Sequence, residues 1–85
     1  MSGLKHNPHQ FTVLIKNIGT VPIVLPEIGG FELSPDEEID MCDPELPNGH
    51  YSDPGAVLRA LNDLSGTVLY QEREAGNLTY RIEPV

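Results

Sequence analysis

The sequence predicts a small α+β or mainly β domain: a small antiparallel sheet, or a partly open barrel or sandwich, of about six strands with one amphipathic helix over residues 54–65. Three observations predict this class. Apolar residues alternate with polar ones in several short segments. Glycine and proline together supply 16 of the 85 residues, which favours many turns. Only one segment repeats its apolar residues at helical spacing.

The first two predicted strands lie at 11–16 and 21–26. In both segments the odd-numbered residues are apolar and share one face. The turn residues at 17–20 separate the strands. Because proline has no N–H for a ladder, Pro22 and Pro26 indicate that the second strand lies at an edge or is bulged.

The next two strands are predicted at 31–33 and 38–41. The paired glycines at 29–30 predict a bend before the first of them. Between the strands, the Ser-Pro-Asp-Glu sequence at 34–37 is typical of a type I turn, with proline at its second position.

A terminal hairpin is predicted from strands at 67–73 and 78–83, joined by the turn at 74–77. In the second strand, Leu78, Tyr80 and Ile82 alternate with polar residues. This alternation predicts one face toward the core and one toward water.

The predicted helix begins with Asp53 as N-cap and Pro54 at its first position, where a missing N–H costs nothing. Gly66 is the expected stop. The apolar stripe of this helix consists of Val57, Leu58, Leu61 and Leu64.

The length of 85 residues predicts one domain with one modest core. We divide the chain into an N-terminal arm at 1–10 and a mainly β domain at 11–85. Within the domain, the proline-rich acidic segment 42–53 is predicted to be a loop, and loops of this length are often functional. No internal repeat is found.

Charge and cysteine content restrict the partners. Thirteen acidic and five basic residues give a net charge of −8, which disfavours direct binding to nucleic acid or an anionic membrane. The single cysteine cannot form an internal disulfide, which fits a reducing compartment. The sequence has neither an apolar signal region nor a membrane-length apolar run. We therefore expect a soluble protein made in the cytoplasm.

Two groups of residues invite a chemical interpretation. His6 and His9 could begin a zinc site completed by His50, Cys42 or a carboxylate, but no helix fixes their spacing, so a solvated or partner-bound arm is favoured. Cys42 and His50 could form a thiolate–imidazole pair, but no third orienting residue accompanies them. We expect Cys42 to be a semi-buried small hydrophobic residue, and we expect no cofactor, small-molecule ligand or enzymatic activity.

The segment 27–45 carries eight acidic residues and no basic one. Three interpretations are open: a solvated face, a Ca²⁺ site built from Asp36, Glu38 and Asp40, or a docking surface for a basic partner. Calcium is the weakest of the three, because the segment lacks the ordered register of an EF-hand. Docking is favoured because a small domain without disulfides and with an exposed acidic loop is more typical of a subunit that binds other proteins than of a protein that acts alone.

Four segments, 13–24, 30–40, 57–64 and 66–70, together resemble a layout common in small virion proteins of tailed bacteriophages. The shared features are an N-x-G turn between two strands, an L-x-P-x-E turn before a short strand, a leucine-rich helix and a terminal hairpin. The resemblance spans about residues 11–82 and rests on turn and packing signals. It implies a non-enzymatic structural or accessory subunit of capsid, neck or tail.

We therefore expect a virion protein, synthesised in the host cytoplasm, that binds other virion proteins and copies of itself. The residues expected to make these contacts are His6, His9, Glu37, Glu38, Asp40, Asp43 and Tyr51. The alternative is a small acidic inhibitor that mimics DNA and occupies a basic groove on a host protein. A cytoplasmic adaptor unconnected with phage is a third possibility.

Overall fold

The computed structural model describes residues 10–43, 45 and 53–84. Within these residues the fold is α+β, with five strands in antiparallel sheets and two helices, which confirms the broad class; they form no closed barrel. The elements are β1 (Phe11–Asn17), β2 (Ile23–Leu25), a short 3-10 helix (Pro26–Ile28), β3 (Phe31–Leu33), β4 (Glu38–Asp40), α1 (Pro54–Asn62), α2 (Val68–Glu74) and β5 (Leu78–Pro84).

A three-stranded antiparallel sheet has the order β4-β1-β5. The central strand β1 places Ile15 opposite Ile39 of β4 and Tyr80 of β5. Val13 and Ile15 are fully buried, which confirms the predicted apolar face of this strand. The opposite face of the sheet, which we call the outer face, carries mostly polar and charged side chains.

A second, two-stranded sheet pairs β2 with β3. Ile23 and Leu25 are buried while Val24 is exposed, as the alternation predicts. The strand is shorter than the predicted 21–26, and Val21, predicted on the same apolar face, precedes it and is 63% exposed. The predicted bend is confirmed at Gly29 and Gly30, which both have positive φ, of 74° and 81°. Glycine adopts this left-handed backbone without the steric penalty that a Cβ brings.

Helix α1 begins as predicted but ends early. The Asp53 carboxylate accepts the Gly55 N–H at 3.0 Å, which confirms the N-cap. The helix ends at Asn62 rather than at residue 65, and Leu64 is 42% exposed. Its buried side is formed by Pro54, Val57, Ala60 and Leu61.

The early end of α1 has a physical cause. Thr67 Oγ1 lies within hydrogen-bond distance of the carbonyl oxygens of Leu64 at 2.8 Å and Ala60 at 3.1 Å, and Arg73 Nε donates to the Leu61 carbonyl at 2.9 Å. These carbonyls would otherwise accept N–H groups of a further helical turn. Side chains from the following segment take them instead, so the chain can turn away.

The predicted strand at 67–73 is wrong, because this segment forms α2. Thr67 is its N-cap, and the Thr67 hydroxyl accepts the Tyr70 N–H at 3.1 Å. At the other end, the Gly76 N–H donates to the Arg73 carbonyl and the Asn77 N–H to the Glu72 carbonyl. This Schellman motif needs the positive φ of 83° at Gly76. The residues predicted to make a hairpin turn therefore end a helix, and β5 pairs with β1.

The turn at 34–37 is also not of the predicted type. Asp36 has a φ of 67°, which a type II turn requires at its third position and a type I turn does not. The turn is held against β1, because the Asp36 N–H donates to the Asn17 carbonyl at 2.8 Å and the Asn17 N–H to the Glu37 carbonyl at 3.1 Å. Aspartate tolerates the left-handed region better than most residues.

The fully buried side chain of Asn17 joins the two sheets. Asn17 Nδ2 donates to the carbonyls of Val21 at 2.8 Å and Leu33 at 2.9 Å, and Asn17 Oδ1 accepts the Gly19 N–H at 2.8 Å. The end of β1, the loop that follows it and the end of β3 are thus fixed by one amide.

The core lies between the inner face of the three-stranded sheet, the β2–β3 pair and the two helices. Among the described residues it consists of Val13, Ile15, Ile23, Leu25, Ile28, Leu33, Met41, Cys42, Val57, Ala60, Leu61, Leu69 and Leu78. Of the predicted arm at 1–10, only Gln10 is among the described residues. Of the loop at 42–53, only residues 42, 43, 45 and 53 are.

Candidate interaction surface

The outer face of the three-stranded sheet brings charged residues of three strands together. Residues directly opposite one another in an antiparallel sheet share a face, so the strand registers define this surface. It carries Thr12, Leu14 and Lys16 of β1, Glu38 and Asp40 of β4, and Thr79, Arg81 and Glu83 of β5.

Arg81 is at the centre of the charge arrangement. Its Nε and Nη2 donate to the two carboxylate oxygens of Glu38 at 2.9 and 3.1 Å, and its Nη1 donates to Glu83 Oε2 at 2.5 Å. Hydrogen bonding to Arg81 holds the pKa of Glu38 below its usual value, and the two carboxylates raise the pKa of Arg81. One arginine thus balances two acids on an exposed face, with Lys16 directly opposite Glu38.

Asp40, a predicted contact residue, has a structural role at the end of β4. Its Oδ1 accepts the Thr12 hydroxyl and the Cys42 N–H, the latter at 2.9 Å. Because the Thr12 side chain lies on the neighbouring strand, the carboxylate links β4 to β1 and shapes the chain that leaves β4.

The other two predicted acids on the described part of the chain also accept local hydrogen bonds. Glu37 Oε1 accepts the Ser34 N–H at 2.8 Å, and Asp43 Oδ1 accepts the Glu45 N–H at 2.9 Å. Of the four predicted acids, the structure brings Glu38 and Asp40 onto the outer face and places Glu37 at the turn before β4 and Asp43 after it.

The remaining predicted contact residues, His6, His9 and Tyr51, lie outside the described residues. So does His50, the suggested partner of Cys42. All of these predictions of partner contact, including those for the four acids, stay predictions.

Glu27 shows that part of the acidic segment points inward. Its Oε2 accepts the Val68 N–H at 2.5 Å, while its Oε1 is buried and, among the described residues, has no hydrogen-bond partner. The side chain thereby connects the 3-10 helix after β2 to the start of α2. Because 41 positions separate the two residues, no local sequence signal could have indicated this contact.

The thiol of Cys42 is fully buried, more than the semi-buried position that the sequence suggested. Burial raises the pKa of the Cys42 thiol. The reactive form of a cysteine is the thiolate, so this environment suppresses nucleophilic chemistry.

Metal-ligating side chains do not gather in the described part of the chain. No group of three or more His, Cys, Asp or Glu residues there could hold a metal ion. The suggested calcium ligands are divided between two elements, since Asp36 lies in the turn while Glu38 and Asp40 lie on β4.

None of the helices in the described part of the chain is long and apolar enough to cross a membrane.

The edge of β5 is the feature that sequence reasoning missed. Ile18 N–H donates to the Asn77 carbonyl at 2.9 Å, and hydrogen-bonded pairs alternate along an antiparallel ladder. The ladder to β1 therefore uses Thr79, Arg81 and Glu83. The intervening residues of β5, which are Leu78, Tyr80, Ile82 and Pro84, direct their backbone groups away from β1. We call these outward groups the β5 edge.

The signal that could have revealed the edge was the helical character of 67–74. Thr67 is a good N-cap, and Gln71, Glu72 and Arg73 are strong helix formers. Recognising a helix there would have left β5 without its predicted hairpin partner.

No family model matches this sequence, and neither curated proteins nor solved structures give a significant match.

Proposed function

We propose that this protein is a non-enzymatic structural or accessory subunit of a tailed-phage virion, which binds other virion proteins and copies of itself. The observation that carries the proposal is the β5 edge. Strand β5 is seven residues long, and within the described ranges no backbone hydrogen bond reaches its outward groups. An edge of this length is a template for pairing with another chain.

The other strands offer much less for such pairing. β2, β3 and β4 are each three residues long. Pro22 and Pro26 flank β2, and proline removes edge donors. An assembly contact through strand addition would therefore use β5.

The way the acidic side chains are used also favours assembly over catalysis. Glu27, Glu37, Asp40 and Asp43 accept hydrogen bonds from the chain itself, and Glu38 is paired with Arg81. These acids stabilise turns, strand ends and a helix terminus. They are committed to the fold rather than directed together into a reaction site.

The same observation weighs against the alternative of a DNA mimic. A mimic needs carboxylates available along a ridge, at spacings that resemble duplex phosphates. On the outer face, Glu38 and Glu83 share the positive charge of Arg81, and Lys16 lies opposite Glu38. A surface on which acidic and basic side chains are mixed suits a contact with another protein in a defined register better than it suits binding in a basic groove.

The proposal is tested by looking for the protein in particles. Phage particles from the organism that encodes the chain are purified by density gradient, washed with high salt and probed with an antibody against the chain. We expect the protein to co-purify with the particles after the wash. Its presence only in the soluble fraction, with none in the particles, would refute the proposal.

The predicted role of the arm is tested in the same preparation. A variant that lacks residues 1–10 should keep the circular dichroism spectrum of the full chain but be missing from particles. Incorporation at the level of the full chain would show that the arm is not a contact.

A further inference from the structure

We infer that β5 pairs with β5 of a second copy of this chain, antiparallel and about a two-fold axis at Ile82. This inference rests on the proposed function, because it names the surface through which copies of the protein would bind. The result is a dimer in which the two three-stranded sheets join into one antiparallel sheet of six strands.

The backbone supports this axis. Ile82 lies opposite Val13 at a position that is not hydrogen-bonded to β1, so its N–H and C=O point outward. With the axis at Ile82, the Ile82 N–H of each copy donates to the Ile82 carbonyl of the other copy. Tyr80 N–H then donates to the Pro84 carbonyl of the second copy. The missing N–H of Pro84 marks the end of the pairing.

Charge complementarity selects this register over its neighbours. An axis at Ile82 places Arg81 opposite Glu83 of the second copy, twice, at non-hydrogen-bonded positions where facing side chains are closest. An axis at Arg81 would bring two arginines face to face, which is destabilising. An axis at Tyr80 would place Arg81 opposite Thr79 and leave Glu83 unmatched.

The apolar side chains agree with this choice. Ile82 is on the inner face of the sheet but is 53% exposed, while its neighbour across the ladder, Val13, is fully buried. The two-fold axis brings Ile82 against its own copy and covers this exposed side chain. The same pairing thus matches apolar groups on one face and opposite charges on the other.

The test measures molar mass by size-exclusion chromatography with light scattering, over a concentration series of the untagged full chain. We expect the mass to rise from the 9.3 kDa of one chain toward twice that value. A chain that stays monomeric throughout overturns the inference, whether the β5 edge is bare or covered by another part of the same chain.

Two charge variants test the register. Arg81→Glu places a carboxylate opposite Glu83 of the second copy, and Glu83→Arg places a second cation opposite Arg81. Each variant alone should be monomeric at concentrations where the natural chain is dimeric. An equimolar mixture should form a heterodimer, because both cross-strand pairs are then of opposite charge. A dimer that neither variant disturbs, or a mixture that stays monomeric, overturns the register.

Control measurements distinguish loss of the dimer from misfolding, and failure of the dimer model from failure of the proposed virion role. Thr79→Glu adds an acid to the same strand and face, opposite Lys16 and beyond the charged pairs of the interface, so the dimer should persist. Circular dichroism of each variant monitors the fold. If the natural chain forms dimers in solution but is missing from particles, the virion role alone is refuted. If the Glu83→Arg variant is monomeric but is incorporated into particles normally, only the role of the β5 edge in assembly is refuted.

Discussion

Replacing Asn17 with alanine should destabilise the fold far more than the small volume of this side chain suggests. The amide is fully buried and makes three hydrogen bonds, to the carbonyls of Val21 and Leu33 and from the N–H of Gly19. All three partners are backbone groups, so Asn17→Ala removes none of them and leaves each without this bond.

The magnitude follows from what those partners lose. The Leu33 carbonyl is in a buried bond, and leaving it unsatisfied costs about 1–3 kcal/mol. The bonds to Val21 and Gly19 are partly buried and contribute about 0.5–1.5 kcal/mol each. The free energy of unfolding should therefore fall by about 2–6 kcal/mol, and each kcal/mol lowers the melting temperature by about 4–8 °C in a domain of this size.

The assay is urea unfolding followed by far-ultraviolet circular dichroism, with Asn62→Ala as matched control. Asn62 Nδ2 also donates two hydrogen bonds, to the Leu58 carbonyl at 3.0 Å and to Tyr80 Oη at 3.3 Å, but this side chain is exposed. The control should lose no more than about 1 kcal/mol. Equal losses in the two variants would show that Asn17 does not hold the sheets together.

A second variant separates hydrogen bonding from packing. Asn17→Asp has nearly the same volume and keeps an oxygen for the Gly19 N–H, but it lacks the two N–H donors. At neutral pH it should be destabilised at least as much as Asn17→Ala, because a carboxylate would face the carbonyls of Val21 and Leu33. Near-natural stability of this variant would refute the importance of the donors.

Three further predictions concern other parts of the molecule. Gly76→Ala should cost about 1–2 kcal/mol in urea unfolding because φ is 83° there, whereas Gly66→Ala, at an equally open position without positive φ, should be neutral or stabilising. Because Arg81 lowers the pKa of Glu38, this ion pair stabilises the fold fully above a pH of about 4.5, and the stabilisation is lost as the pH falls through the pKa of Glu38 in the folded protein. Glu38→Gln should therefore lose less free energy of unfolding than the natural chain when the pH is lowered. An equal loss in the two proteins would contradict the pairing. The Cys42 thiol should react with a chromogenic disulfide reagent much more slowly in native protein than in urea, and equal rates would contradict its burial.

The elements that could be predicted from sequence are those whose cause is local. The alternation in 11–16 is a direct consequence of strand geometry, and Asp53 caps a helix with a group two residues away. In both cases the residues that determine the structure lie within a few positions of one another. The broad α+β class followed from these elements.

The helix at Val68–Glu74 was missed because two patterns conflict in it. Val68, Leu69 and Tyr70 favour a strand, while the polar residues that follow favour a helix. Tertiary contacts decide between them: Glu27 accepts the Val68 N–H, and Arg73 reaches back to α1. Such contacts carry no signal in the local sequence.

The candidate surface could be predicted only in part, for the same reason. The sequence identified Glu38 and Asp40 as acids of a possible docking surface, but it could not show that Arg81, 43 positions away, pairs with Glu38. Nor could it show that β5 lies at an edge of the sheet formed by the described residues, because strand order depends on which segments are strands. The acidic docking surface therefore stays a prediction, and the β5 edge is proposed beside it from the strand order that the structure shows.

Amide hydrogen exchange measured by NMR at low and high protein concentration tests assembly through the β5 edge most directly. The amides of Thr79 and Arg81 donate to β1 and should be protected at both concentrations. Those of Tyr80 and Ile82 point outward and should exchange rapidly in dilute protein but become protected as the concentration rises. Rapid exchange at every concentration, or full protection already in dilute protein, would contradict pairing between copies at this edge.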